Sequence, residues 1–271
     1  MIKQAIVPLA GLGTRLLPLS SIIPKEFLPI NGKPSIEYIL DECIETGIQE
    51  IIFIISKKKK IIKKYFYNDV FFKKILKKKK NNKLLKLQYL KIKKLRKIIR
   101  FVYQNLPRGT GDAILKCQRF IKSKHFLVLL PDDLIINKNC STAMLKLHKQ
   151  HKSSIIASRK VKTKDVSRWG IFRLRKISKS NFLIDDVIEK PNKNLAPSNY
   201  AVIGRYILPS KIFKILKKQK PGTKGEIHIT DAIRTLIHQN EKFIGHIFKG
   251  KYLDCGTMSG YINSSIKISK L

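Results

Sequence analysis

Apolar and polar positions fall into blocks along this 271-residue chain, and the blocks mark out strands and helices in turn. Ala5 to Leu9 is an unbroken apolar run, the pattern of a short strand buried on both faces. Ala10-Gly11-Leu12-Gly13-Thr14-Arg15 follows, where the backbone should leave the sheet in a turn. Pro34 stands at a first helical position, and Ile36, Ile39, Leu40, Cys43 and Ile44 repeat at helical spacing until Gly47 stops the stripe. Glu50 to Ile55 is a second buried strand. Strand, helix and strand in succession imply a parallel sheet.

Residues 57–97 hold little clean periodicity, although Ile61, Ile62, Tyr65 and Phe66 suit one helical face; they read as helical and loop decoration. Ile98 to Tyr103 is a third strand, and Gln104 to Gly111 a second glycine-bearing loop. Ala113, Ile114, Cys117, Phe120 and Ile121 then describe an amphipathic helix. Phe126 to Leu130 is a strand that ends at Pro131-Asp132-Asp133, and the carboxyl ends of parallel strands are where α/β sheets bind ligands. A helix from Asn139 or Ser141 onward turns Met144, Leu145 and Leu147 inward. From Ser153 strands dominate: Ser153–Ser158, Trp169–Arg173, Asn181–Glu189 and Asn199–Leu208, then Phe243–Phe248 and Lys251–Leu253, with helices near Ser210 and over Thr230–His238. Neither repeats nor a linker divide the chain. The expectation is one α/β domain over residues 1–271, a single Rossmann-like mixed sheet flanked by helices, with halves at about 1–150 and 151–271.

Charge changes the picture. Lys and Arg number 57 against 18 Asp and Glu, a net +39, which raises binding of nucleic acid or an anionic surface. The lysines fall in the runs Lys57–Lys60 and Lys77–Lys80 beside many Ile and Asn, however. Drift toward A/T-rich codons at solvated positions explains this without a partner, and no aromatic-interleaved basic motif supports specific nucleic-acid reading. Cys43, Cys117, Cys140 and Cys255 are far apart and without C-x-x-C spacing, which suits reduced thiols rather than a zinc site. With no signal pattern and no apolar stretch of membrane-spanning length, a soluble cytoplasmic protein is expected.

Candidate chemistry starts at the first turn. Gly11 and Gly13 let backbone N–H groups converge on an anion, and Arg15 and Lys25 can bring fixed positive charge to it. The stretch is neither of two commoner phosphate loops. Gly13 is followed by Thr-Arg-Leu-Leu rather than the lysine of a Walker loop, and Leu16 stands where a dinucleotide fingerprint needs glycine. Gly11-Leu12-Gly13-Thr14-Arg15 followed by Pro24-Lys25 instead resembles the signature of the sugar-nucleotide pyrophosphorylases, and the longer A-G-L-G-T-R-L-L-P and I-P-K-E-F-L-P are closest to the bacterial UTP–glucose-1-phosphate uridylyltransferases.

The resemblance implies a reaction of UTP with glucose 1-phosphate to give UDP-glucose and pyrophosphate, assisted by Mg2+. By the same resemblance Arg15, Lys25 and Lys190 are the cations for the phosphates, and Asp132 and Asp254 hold the metal, with Asp133 a helix cap or loop residue and the alternative ligand. Gly13 and Thr14 would help seat the nucleotide, and Ala10, Gly11, Glu26, Gln104 and Gly109 would read the base. On the sugar side, Val187-Ile188-Glu189-Lys190-Pro191 reproduces V-x-E-K-P, so Glu189 meets glucose hydroxyls; Gly170 and Gly204 let backbone approach the hexose. Thr230-Asp231-Ala232 also matches, although helix capping explains it. Two departures stand out: the family's G-L-G-H is Gly109-Thr110-Gly111-Asp112 here, and little sequence follows Leu253-Asp254-Cys255-Gly256. A homo-oligomer is expected. The alternatives are a thymidylyltransferase or other hexose-1-phosphate nucleotidyltransferase, and a non-catalytic nucleotide-sugar or RNA-binding protein.

Overall fold

The computed structural model describes residues 2–79, 82–176, 178–222 and 225–270; Lys80, the end of the second lysine run, lies outside them. β1 (Gln4–Pro8) runs at the centre of the molecule with alternate side chains on opposite faces. Ala5, Val7 and Leu9 enter one apolar core while Ile6 and Ala10 enter the other, so the unbroken apolar run has a partner on each side.

After the glycine loop come the two-residue strands β2 (Pro29–Ile30) and β3 (Lys33–Pro34), then α1 (Ser35–Glu45) and β4 (Glu50–Ile55). The expected stripe on α1 ends at Cys43, since Ile44 is exposed. The lysine-rich segment folds into α2 (Lys60–Tyr67), α3 (Asp69–Lys78) and α4 (Lys83–Ile98), followed by β5 (Ile99–Tyr103). Polar contacts tie this segment down: Glu37 of α1 accepts from Tyr65, from Gln88 at 2.8 Å and from Lys91 at 2.8 Å. The helix expected after the second glycine loop is split into α5 (Thr110–Leu115) and a 3-10 turn over Gln118–Phe120. Three-residue spacing between Cys117 and Phe120 suits that tighter turn, closed by Phe120 N donating to the Cys117 carbonyl at 2.9 Å.

β6 (His125–Leu129) is followed by β7 (Asp133–Ile136), α6 (Cys140–His151) with Asn139 as its side-chain cap, and β8 (Ser154–Lys160). β9 (Gly170–Lys176), β10 (Asn181–Glu189), β11 (Tyr200–Pro209), α7 (Ile212–Lys218), α8 (Ile229–His238), β12 (Phe243–Ile247), β13 (Lys251–Asp254) and α9 (Met258–Ser269) complete the chain. α9 supplies helical sequence beyond Gly256 that the pattern of apolar residues alone did not reveal.

Nine of these strands form one sheet in the order β5-β4-β1-β6-β11-β8-β12-β10-β9. The β5-β4-β1-β6 side is parallel throughout, and β11 enters antiparallel to β6, which makes the sheet mixed as expected. Outside it, β7 and β13 form a separate antiparallel pair whose register sets Asp254 opposite Asp133.

A fully buried ion pair joins the layers. Arg205 on β11 donates to Glu42 of α1 at 2.8 Å through Nη2, and its Nη1 donates to the carbonyls of Leu130 at 3.1 Å and Gly204 at 2.9 Å. Leu130 precedes Pro131-Asp132, so the guanidinium holds the carboxyl end of β6. Arg205→Met leaves the buried Glu42 carboxyl without its cationic partner, a loss of about 3–5 kcal/mol. Urea unfolding monitored by circular dichroism should show it, and a midpoint equal to wild type would mean that the pair does not hold the layers.

Candidate functional site

Where β1 ends, the chain turns through Gly13, whose φ of +71° is the left-handed region that glycine adopts without strain. Ser20 Oγ donates to the Gly13 carbonyl at 2.8 Å and closes the loop beneath it. A 3-10 turn over Lys25–Phe27 then points successive side chains apart. Lys25 reaches Asp132, its Nζ donating to Oδ2 at 2.7 Å, while Arg15 Nη2 lies 3.7 Å from the same oxygen. Burial works against the Lys25 ammonium, but Asp132 and then Glu26 outweigh it and hold its pKa above the ordinary lysine value. Burial likewise pushes the Asp132 carboxyl up, and Lys25 with Arg15 pulls it below the usual carboxylate range.

Asp254 meets Asp132 because β13 pairs with β7. The Cys255 N–H donates to the Asp132 carbonyl at 2.8 Å, locking the two strand ends together. Both carboxylates converge on Gly256: a Cβ there would lie 3.1 Å from Asp132 Oδ2 and 3.3 Å from Asp254 Oδ1. Arg168 completes the group, its Nη2 donating to Asp254 Oδ2 at 3.0 Å. Two carboxylates around an open point, with cations alongside, suit a hard divalent ion that takes its remaining ligands from phosphate oxygens.

Asp133 is not the helix cap or loop residue expected. It opens β7, and its carboxylate accepts from the Gly204 N–H at 2.9 Å and from the Tyr252 hydroxyl. Burial, reinforced by the charge of Asp132, pushes its pKa up to about 6. Gly204 serves this contact, since a Cβ there would fall 2.5 Å from Asp133 Oδ2 and from Leu130 Cβ.

The second loop supplies Gln104 and Gly109. Gly109 has a φ of +99°, and a Cβ there would meet the Ile227 carbonyl at 2.6 Å, so the position admits only glycine. Opposite, Glu189 at the end of β10 accepts from Thr230 Oγ1 at 2.7 Å and pairs with Lys190 Nζ at 2.9 Å. The Thr230 hydroxyl therefore acts on Glu189 rather than capping α8, whose N-cap position is His228.

One cavity of about 620 Å³ gathers these parts. Ala10, Gly11, Gly13, Thr14, Arg15, Lys25, Gln104, Gly109, Asp132, Gly170, Glu189, Lys190 and Asp254 all line it. Glu26 and Gly204 do not. Glu26 is buried behind the wall, where both carboxylate oxygens accept from Lys59 Nζ at 2.8 and 2.9 Å, and the same ammonium donates to the Leu9 carbonyl at 2.8 Å. Lys59 belongs to a lysine run expected to face solvent; Lys57, Lys58 and Lys60 do, and Lys59 does not. Nothing in K-K-K-K distinguishes it, and only depth in the fold reveals it. Arg168 is exposed and was missed because its partner, Asp254, lies 86 residues along the chain.

The chain belongs to the nucleotidyl transferase family, whose pattern it matches over residues 4–270. UTP–glucose-1-phosphate uridylyltransferase 2 of Streptococcus pyogenes serotype M3 is 38% identical over 272 residues, which cover 98% of this chain and 89% of that protein. A crystal structure of UDP-glucose pyrophosphorylase complexed with UDP-glucose superposes with a TM-score of 0.86 at 38% identity, over 100% of this chain and 99% of that one. UTP-bound UGPase from Acinetobacter baumannii gives 0.89 at 32% identity, over 99% and 93%.

Lys59→Met strands the Glu26 carboxylate in the interior and should cost about 3–5 kcal/mol. Lys58→Met and Lys60→Met should stay within about 0.5 kcal/mol of wild type. Thermal melts of the three variants decide it; equal melting temperatures would return Lys59 to the surface.

Proposed function

We propose that this chain transfers the uridylyl group of UTP to α-D-glucose 1-phosphate, releasing pyrophosphate and forming UDP-glucose. The observation that carries the reading is that Arg15, Lys25, Asp132, Glu189, Lys190 and Asp254, from separate segments of the chain, line a single cavity. The similarity to uridylyltransferases along nearly the whole chain supports it.

The chemistry needs no protein nucleophile. A phosphate oxygen of glucose 1-phosphate forms a bond to the α-phosphorus of UTP while the bond to the departing pyrophosphate breaks, in line with it. Lys25 is assigned to the α-phosphate, where a compact ammonium can follow the developing charge. Arg15 is exposed at the cavity mouth, which suits a residue that receives and releases pyrophosphate. Lys190 holds the sugar phosphate, and Glu189, oriented by Thr230, accepts from glucose hydroxyls.

Asp132 and Asp254 fit Mg2+, which takes one or two carboxylates together with phosphate oxygens. When bound, the ion would supply positive charge against the charge of the phosphates. Lys25 and Arg168 are already paired with these aspartates and aim the carboxylates.

The test is formation of UDP-glucose and pyrophosphate by purified protein with UTP, glucose 1-phosphate and Mg2+. Turnover of UTP should exceed that of dTTP; the reverse order would make the protein a thymidylyltransferase. Asp132→Asn should lower metal-dependent turnover by about 100-fold or more in protein that still melts cooperatively, and full activity in it would remove Asp132 from the metal site. Lys25→Ala should lower kcat, so an effect confined to KM would exclude a transition-state role.

A further inference from the structure

The second glycine loop carries one contact that the family resemblance does not supply. Where that family has G-L-G-H, this chain has Gly109-Thr110-Gly111-Asp112. Asp112 is buried in the first turn of α5, and its Oδ2 accepts from Gln104 Nε2 at 2.7 Å. The same nitrogen donates to the Gly109 carbonyl at 3.3 Å. A carboxylate and a carbonyl only accept, so the amide nitrogen must face both of them. Its two protons are thereby spent on the protein. What Gln104, a wall residue of the cavity, has left to offer a ligand is the acceptor Oε1.

We propose that Asp112 is a positioning residue that sets base selectivity by locking the Gln104 amide with its oxygen toward the base. This rests on the uridylyltransferase reading, in which Gln104 lies beside the pyrimidine. An acceptor in that place pairs with the N3–H of uracil and opposes the N3 lone pair of cytosine. Without the lock the amide turns over, its NH2 meets cytosine N3, and the distinction fades. Asp112 also lies 3.5 Å from Lys116 one turn on, an ordinary helix-surface pair. That contact affects α5 but has no reason to separate two bases.

The test is the ratio of kcat/KM for UTP to that for CTP, with glucose 1-phosphate as acceptor, in wild type, Asp112→Ala, Asp112→Leu and Gln104→Leu. A ratio is independent of how much protein is folded. The leucine variant, of similar shape, serves if the alanine variant does not melt cooperatively. Calorimetric binding of UDP and CDP gives the same comparison without turnover. The expected result is a fall of about tenfold or more in the ratio for either Asp112 variant, with KM for glucose 1-phosphate within about twofold of wild type. An unchanged ratio in the Asp112 variants together with a collapsed ratio in Gln104→Leu would overturn the lock and leave Gln104 as base reader. An unchanged ratio in all variants would overturn both.

Discussion

A four-residue strand pairing outside the main sheet decides whether this molecule has a site at all. β7 and β13 set Asp254 opposite Asp133, and the Cys255 N–H bonded to the Asp132 carbonyl fixes the offset between the two ends. Shifting that register by one residue would turn Asp254 to the other face, because side chains alternate along a strand. Around the pair of aspartates the cations then assemble: Lys25 on Asp132, Arg168 on Asp254 and Arg15 at the rim. Each carboxylate is paired with a neighbour of opposite sign, and that electrostatic balance is what a phosphate-bearing reactant and a divalent ion can enter.

Behind this cluster lies a second tier of buried charge that never reaches the cavity. Arg205 with Glu42 braces the strand end before Asp132, and Lys59 with Glu26 braces the end of β1 beside the glycine loop. Burying charge is costly unless each group is paired and its hydrogen-bonding positions are filled, and here both conditions are met. The cations grip backbone carbonyls as well as carboxylates, so they fix the path of the main chain where the loops begin. Glu26 is thereby a support for the neighbouring Lys25 rather than part of the cavity wall.

The excess of 57 basic over 18 acidic residues has two separate physical meanings in this fold. Most of the lysines in the runs are exposed and screened by solvent, contributing little to any single contact. A few of the cations are desolvated: Lys25 at the site, and Lys59 and Arg205 behind it. Composition treats both kinds alike.

What the sequence determined by itself was everything governed by local pattern. Apolar runs and period-3.6 stripes placed β4 and β10 at their observed ends and most other elements within a residue or two, because burial in a sheet or on a helix face is written directly into local sequence. A phosphate cradle, which needs glycine and fixed charge, pointed to Gly11, Gly13, Arg15 and Lys25, and the motifs' resemblance to the sugar-nucleotide pyrophosphorylases extended these to thirteen residues that line the cavity. Tertiary structure alone decided the rest. β7 follows β6 after Leu130-Pro131-Asp132 and is a strand because β13 pairs with it. Asp133, Lys59 and Arg205 carry roles that depend on partners far along the chain, from 33 to 163 residues away. Gln104 faces its amide one way only because Asp112 folds back against it. Depth and partnership arise when distant segments meet, and no local spacing encodes them.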